Sequence, residues 1–266
     1  MSFKLPLTLL LFVLASAPPR AQEGQPPRQD DQKVIENFVN ARGATPKQPA
    51  RKKTAAASPA ASKPIGLGYT LYMNDEDSNA LIVDATREFK AGDQIRIQLE
   101  SNTDGFLYIF HTEDGRSPQM LFPHAALAQG VNAVAAHSRE FFPADPSYGF
   151  VFDERPAAER LYVVVSRKAL AGVPVGEELL KFCGGEREDC YWKPSASEWE
   201  RIKAGGAGAR SVEAKNPQRA GTRTAAPAAA TRGVKLKKGE PAPAVVRVND
   251  RPETDVLVTT IDLVHK

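Results

Sequence analysis

Cysteine is almost missing from this chain: two residues among 266, Cys183 and Cys190. A structural zinc site needs four ligands, and there is neither a second cysteine pair nor a histidine beside the first. A disulfide closing the small loop Gly-Gly-Glu-Arg-Glu-Asp is expected, worth about 2–3 kcal/mol in an oxidising compartment. A two-cysteine metal site is its weaker rival. Histidine is scarce as well, with His111, His124, His137 and His265 each standing singly. Gly-x-Ser-x-Gly, His-Glu-x-x-His, the Walker loop and the glycine-rich dinucleotide fingerprint are all missing. No catalytic residue, cofactor or metal ligand is therefore assigned, and the chain reads as a non-enzyme. Long apolar runs are lacking too. The run from Leu5 to Ala15, preceded by Lys4, is too short to span a bilayer and reads as a secretory signal. Cleavage is expected after Ala17 or Ala21, which leaves no transmembrane segment in the mature protein. No Cys follows the run to carry a lipid anchor.

The sequence does contain short, well-patterned strands. In Gln94–Glu100, Ile95, Ile97 and Leu99 alternate with Arg96, Gln98 and Glu100, which puts an apolar row on one face. Phe106–Phe110 is apolar on both faces, as a strand covered on both sides would be. With Asn102-Thr103-Asp104-Gly105 as the turn, the two are expected to form a central hairpin. Further strands are predicted at Tyr69–Met73, Ala80–Asp84, Met120–Phe122, Arg139–Phe142, Tyr148–Phe152 and Arg160–Ser166. Short strands punctuated by turns indicate a mainly β fold, an antiparallel β-sandwich with one or two short helices. A helix is expected after Ser166, and another over Ser195–Lys203 with Ser197 as its cap and Trp199 packed inward.

Proline gathers outside this block. The expected organisation is a signal peptide at 1–21, a disordered linker at 22–64, a β-sandwich at 65–202, a disordered basic linker at 203–240 and a C-terminal strand within 241–266 that completes the sandwich. The first linker contains one short helix, Gln32–Arg42, with Val34, Ile35, Phe38 and Val39 on a face and Gly43 to end it. Charge follows the same division. Residues 22–64 hold eight basic against four acidic residues, 203–240 nine against two, and 65–202 thirteen against twenty-two. Contact of the basic tethers with an anionic polymer is left open. Without interleaved aromatics, no specific nucleic-acid binding is expected.

An ordered series of residues runs through the block: Gly68-Tyr69, Phe89–Ile97, Asn102–Ile109, Leu121-Phe122-Pro123 and Glu159-Arg160-Leu161. It resembles the bacterial domain of unknown function 4384 family over about residues 66–170. The Gly-Asp and Asp-Gly-Phe-Leu-Tyr elements are its most specific parts. Arg155–Glu159 departs from the family, which tends to place Pro-Gly before the Glu. The resemblance implies a small β-rich module, often found in exported proteins or attached to signalling kinases and caspase-like proteases. It implies no established activity.

Two acidic constellations compete with the reading of a plain solvated turn. Asp75-Glu76-Asp77-Ser78-Asn79 is rich in oxygen ligands, but Ala80 and Thr86 stand where an EF-hand needs Gly and Glu. An improvised calcium site at Asp75 and Asp77 is left open. Asp153-Glu154 and Glu186, Glu188 and Asp189 read as surface loops. The expected function is an exported, periplasmic or extracellular, non-catalytic binding or scaffolding module that recognises an envelope protein or a cell-wall polymer. The alternative is an envelope hydrolase with an unrecognised site built from His111, His124 or His137 and nearby acids.

Overall fold

The alternating row of Ile95, Ile97 and Leu99 builds β4 (Gln94–Ser101), and the doubly apolar run builds β5 (Gly105–Thr112). In the computed structural model, which describes residues 29–43, 63–74, 80–145, 147–155, 157–206, 211–224, 233–251 and 254–266, the two strands do not pair with each other. The expected central hairpin is thus corrected to a crossing between sheets. β4 pairs with β1 (Gly66–Asn74) and β8 (Ser138–Phe142), whereas β5 pairs with β6 (Gln119–Phe122) and β10 (Ala157–Ser166). The turn is held by residues far along the chain: the Ser101 carbonyl accepts from His137 N at 2.6 Å, and Asp104 Oδ1 accepts from Ala136 N at 2.8 Å.

Among the described residues, the first sheet runs β11 (Ser211–Lys215), β14 (Val245–Asn249), β1, β4, β8, β13 (Val234–Lys235). β2 (Ala80–Val83) and β12 (Arg223–Thr224) extend it beside β1, and β9 (Phe150–Val151) beside β4. The second sheet runs β3 (Glu88–Phe89), β15 (Val256–His265), β10, β5, β6, with β7 (Ala133–Val134) beside β5. Pairing is antiparallel except between β3 and β15. The fold is mainly β, and the facing sides of the two sheets enclose the main core. Ile95, Ile97 and Leu99 of the first sheet meet Leu107, Ile109, Leu161, Val163 and Ile261 of the second there.

Why β5 is apolar on both faces is now plain. Tyr108 and Phe110 point away from the main core into a second one, roofed by α2 (Glu177–Cys183), α3 (Ala196–Gly206) and the Trp192 side chain. Trp199 stands edge-on to Tyr162 at 4.8 Å and lies 5.2 Å from Phe110. α3 runs from Ala196 to Gly206, beyond the expected end at Lys203, and its cap is Ser195, not Ser197. Glu198 N donates to Ser195 Oγ at 3.3 Å while Ser195 N donates to Glu198 Oε2 at 2.7 Å, a reciprocal capping box. Gly105 in the Asp-Gly-Phe-Leu-Tyr element has a steric reason, because a Cβ there would lie 2.2 Å from the Ser166 carbonyl oxygen.

Two boundaries differ from expectation. Residues 203–240 do not form a single disordered linker: β11, β12 and β13 belong to the first sheet, and Ala214 is fully buried. These strands are short and mostly polar on the surface, so backbone pairing rather than an apolar row holds them. The helix within 22–64 is α1 (Gln29–Asn40), and it packs on the outer face of the first sheet rather than standing free. In the segment 241–266, β15 lies between β3 and β10, with Leu257, Ile261 and Leu263 facing the main core. The expected signal at 1–21 and the calcium loop at Asp75–Asn79 lie outside the described residues. No helix among the described residues is long and apolar enough to cross a membrane.

Candidate functional site

An open cleft lies beside the cysteine pair. α2 is anchored by Leu179, which is buried in the second core, and this leaves Phe182 facing outward and Cys183 at the helix end. Cys183 and Cys190 are joined by a disulfide with their Cα atoms 5.7 Å apart, so the intervening acidic loop is closed on itself. The returning limb is pinned to β6: Met120 N donates to the Trp192 carbonyl at 2.9 Å, and the Trp192 ring is buried 6.5 Å from Phe110. Tyr191, on that limb, leans on the His124 ring at 5.1 Å.

The result is a cleft of about 440 Å³ with the disulfide in its wall, Phe182 and Tyr191 on its sides, and Gln119, Glu186, Asp189 and Lys193 as its polar groups. Phe182 is 57% exposed and Tyr191 38%. Apolar rings left this open lose water contact when a partner covers them, the usual source of binding energy at recognition surfaces. The disulfide and the Met120–Trp192 bond restrain the backbone that carries both rings, which lowers the ordering cost of binding. His124 lies behind Tyr191. Burial pushes its imidazole below the ordinary range, against the Glu188 carbonyl and the Asp189 charge, which favour the proton. His124 Nδ1 accepts from Ala126 N at 3.3 Å.

The other histidines lie on separate elements and have partners of their own. His111 on β5 contacts Glu159 on β10. His137, between β7 and β8, bonds Glu100 Oε1 through Nδ1 at 2.8 Å. His265, ending β15, meets the Arg155 carbonyl at 2.5 Å and lies 3.5 Å from Asp153. The adjacent Ser138 hydroxyl donates to the Ala135 carbonyl at 2.7 Å and lies 3.1 Å from Glu140 Oε1, so it turns from the His137 ring. Among the described residues no group of three or more His, Cys, Asp or Glu side chains is placed to hold a metal ion. Some of the basic residues of 203–240 are engaged internally: Lys215 lies 3.5 Å from Asp84, and Lys235 Nζ donates to the Ala136 carbonyl at 2.7 Å.

Reading the loop acids as plain surface residues overlooked the rings beside them. The available signal was the flanking of each cysteine by an aromatic, Phe182-Cys183 and Cys190-Tyr191-Trp192, which places rings at both ends of a covalently closed loop.

Residues 88–169 match the family described as Domain of unknown function (DUF4384), and this stretch belongs to that family. It spans β3 to β10. Gln119 of the cleft falls within it, whereas the disulfide loop follows it. No curated protein and no solved structure matches the chain.

Proposed function

We propose that this protein is an exported, non-catalytic binding or scaffolding module that recognises a protein or cell-envelope polymer through the cleft beside Cys183–Cys190. One observation carries the reading: two exposed rings, Phe182 and Tyr191, flank a disulfide in one cleft, with Glu186, Asp189 and Lys193 beside them. Such a surface supplies apolar area and directional polar contacts together, as recognition sites do. The hydrolase alternative finds less support, because the Ser138 hydroxyl next to His137 donates to the Ala135 carbonyl rather than to an imidazole, and His111 and His137 lie on separate elements with separate partners.

Export is part of the proposal and rests on Lys4 and the Leu5–Ala15 run. Polymer contact by basic chain would fall chiefly to Lys47 and Arg51-Lys52-Lys53, since Lys215 and Lys235 already have partners within the fold.

The test is retention from envelope extracts by immobilised protein, comparing the wild type with Phe182→Ala/Tyr191→Ala. A protein or polymer retained by the wild type and lost by a double variant of unchanged melting temperature is the expected result. Equal retention by both would reject the cleft as the recognition surface.

A further inference from the structure

On the opposite side of the molecule α1 lies across β11 and β14, with Val34, Ile35, Phe38 and Val39 against Ala214, Val246 and Val248. Two features of the surface beneath are shaped to this helix. The first is a notch. β1 carries glycine at both 66 and 68, where a Cβ would lie 3.2 Å from Phe38 Cε2 and 3.1 Å from Phe38 Cε1 respectively. At Gly68 the Pro243 ring is closer still, 2.4 Å from such a Cβ, so Phe38 and Pro243 together occupy the space that side chains on β1 would fill.

The second is a cage for Arg42, in the turn after the helix. Arg42 is 0% exposed and Glu100 1%, and the two form a bidentate pair, Nε to Oε1 at 2.8 Å and Nη2 to Oε2 at 2.6 Å. Nη1 donates to the Glu240 carbonyl at 2.8 Å, and the Pro241 carbonyl lies 3.3 Å away. A guanidinium recognised on both of its edges is a specific contact rather than a generic charge pair. Notch and cage share a wall, since the His137 ring that bonds Glu100 stands edge-on to Phe38 at 5.5 Å.

Chain connectivity does not impose this position. Residues 44–62 separate Gly43 from Lys63, and a chain of that length can reach about 60 Å when extended. The contacts themselves must hold the helix. We propose that this groove is a helix-binding site whose ligand is an amphipathic helix carrying a phenylalanine, with an arginine four residues later in the turn that follows, and that residues 29–43 fill it as a tethered ligand. In the intact chain the tether gives this ligand an effective concentration in about the millimolar range. A partner presenting the same pattern therefore competes only if it binds tightly or if the tether is cut.

The experiment places a specific protease site within residues 44–62 of the full chain, cleaves the purified protein, and follows the N-terminal piece by size-exclusion chromatography. A fluorescent synthetic peptide of residues 29–43 is then titrated into the cleaved protein. The expected result is that the piece co-elutes after cleavage and that the peptide replaces it saturably. Peptides carrying Phe38→Ala or Arg42→Met should bind at least tenfold more weakly, and the emptied protein should keep its far-ultraviolet circular dichroism. Immediate loss of the piece with no peptide binding would overturn the proposal. So would release only together with global unfolding, which would make α1 an inseparable part of the core. Neither outcome bears on the disulfide cleft, which lies on other elements.

Discussion

Replacing Cys183 and Cys190 together by serine tests the frame of the cleft. The disulfide closes eight residues, a sequence separation of 7. For a loop of that size the chain-entropy relation gives about 2.5 kcal/mol at 25 °C. A domain of this size loses about 2–4 °C per kcal/mol, so the melting temperature should fall by about 5–10 °C. Leu179 is buried in the second core whether or not the disulfide exists, so α2 should stay docked and the loss should not greatly exceed that range. The assay is calorimetry of wild type and double variant, each with and without reductant. Reductant should bring the wild type down to the variant and leave the variant unmoved. Binding at the cleft should weaken in parallel, because Phe182 and Tyr191 flank the two sulfurs. An unchanged melt, with both thiols alkylated in unreduced wild-type protein by intact mass, would refute the reasoning.

Trp199→Ala removes the ring packed on Phe110 and Tyr162 and should cost about 3–5 kcal/mol, read as a lower urea midpoint. Gly105→Ala puts a methyl 2.2 Å from a backbone oxygen of the neighbouring strand and should cost at least about 1–3 kcal/mol, checked the same way; an unchanged midpoint would show that the strands separate freely. Because burial lowers the His124 pKa, the unfolded chain binds its proton first as pH falls. The stability this gives is complete above about pH 6.5 and declines as pH drops from there toward the lowered folded value. His124→Gln should remove that part of the decline in melting temperature, and an identical pH profile in both proteins would assign the slope elsewhere. Asp114 is held below the ordinary carboxylate range by the amides of Ser117 and Arg116 and the hydroxyls of Thr112 and Ser117, so its carboxyl resonance in an NMR titration should stay ionised when free aspartates have protonated.

Face assignment was legible in the sequence wherever alternation was strong. Ile95, Ile97 and Leu99 face the main core, and the doubly apolar β5 is covered on both sides. Partner assignment was not. A tight polar turn after an apolar strand fits a hairpin and a crossing between sheets equally well, and here the deciding contacts come from Ala136 and His137. Strands such as Ser211–Lys215 escaped for a different reason: only Ala214 is buried, and pairing with β14 rather than side-chain pattern makes them strands. The Arg42 cage was equally silent, since Glu100 lies 58 residues away and the remaining acceptors are carbonyls, which carry no residue signature.

The order of strands in the second sheet has a consequence for how the protein is made. β15 stands between β3 and β10, so residues 256–265 supply an interior position flanked by strands that leave the ribosome much earlier. Until that segment emerges, β10 has one open edge and β3 has no neighbour at all. Closing the sheet then requires pairing across long separations, 176 residues between Glu88 and Val264, which is slow. A nascent chain of this design cannot complete its second sheet until residues 256–265 have been made.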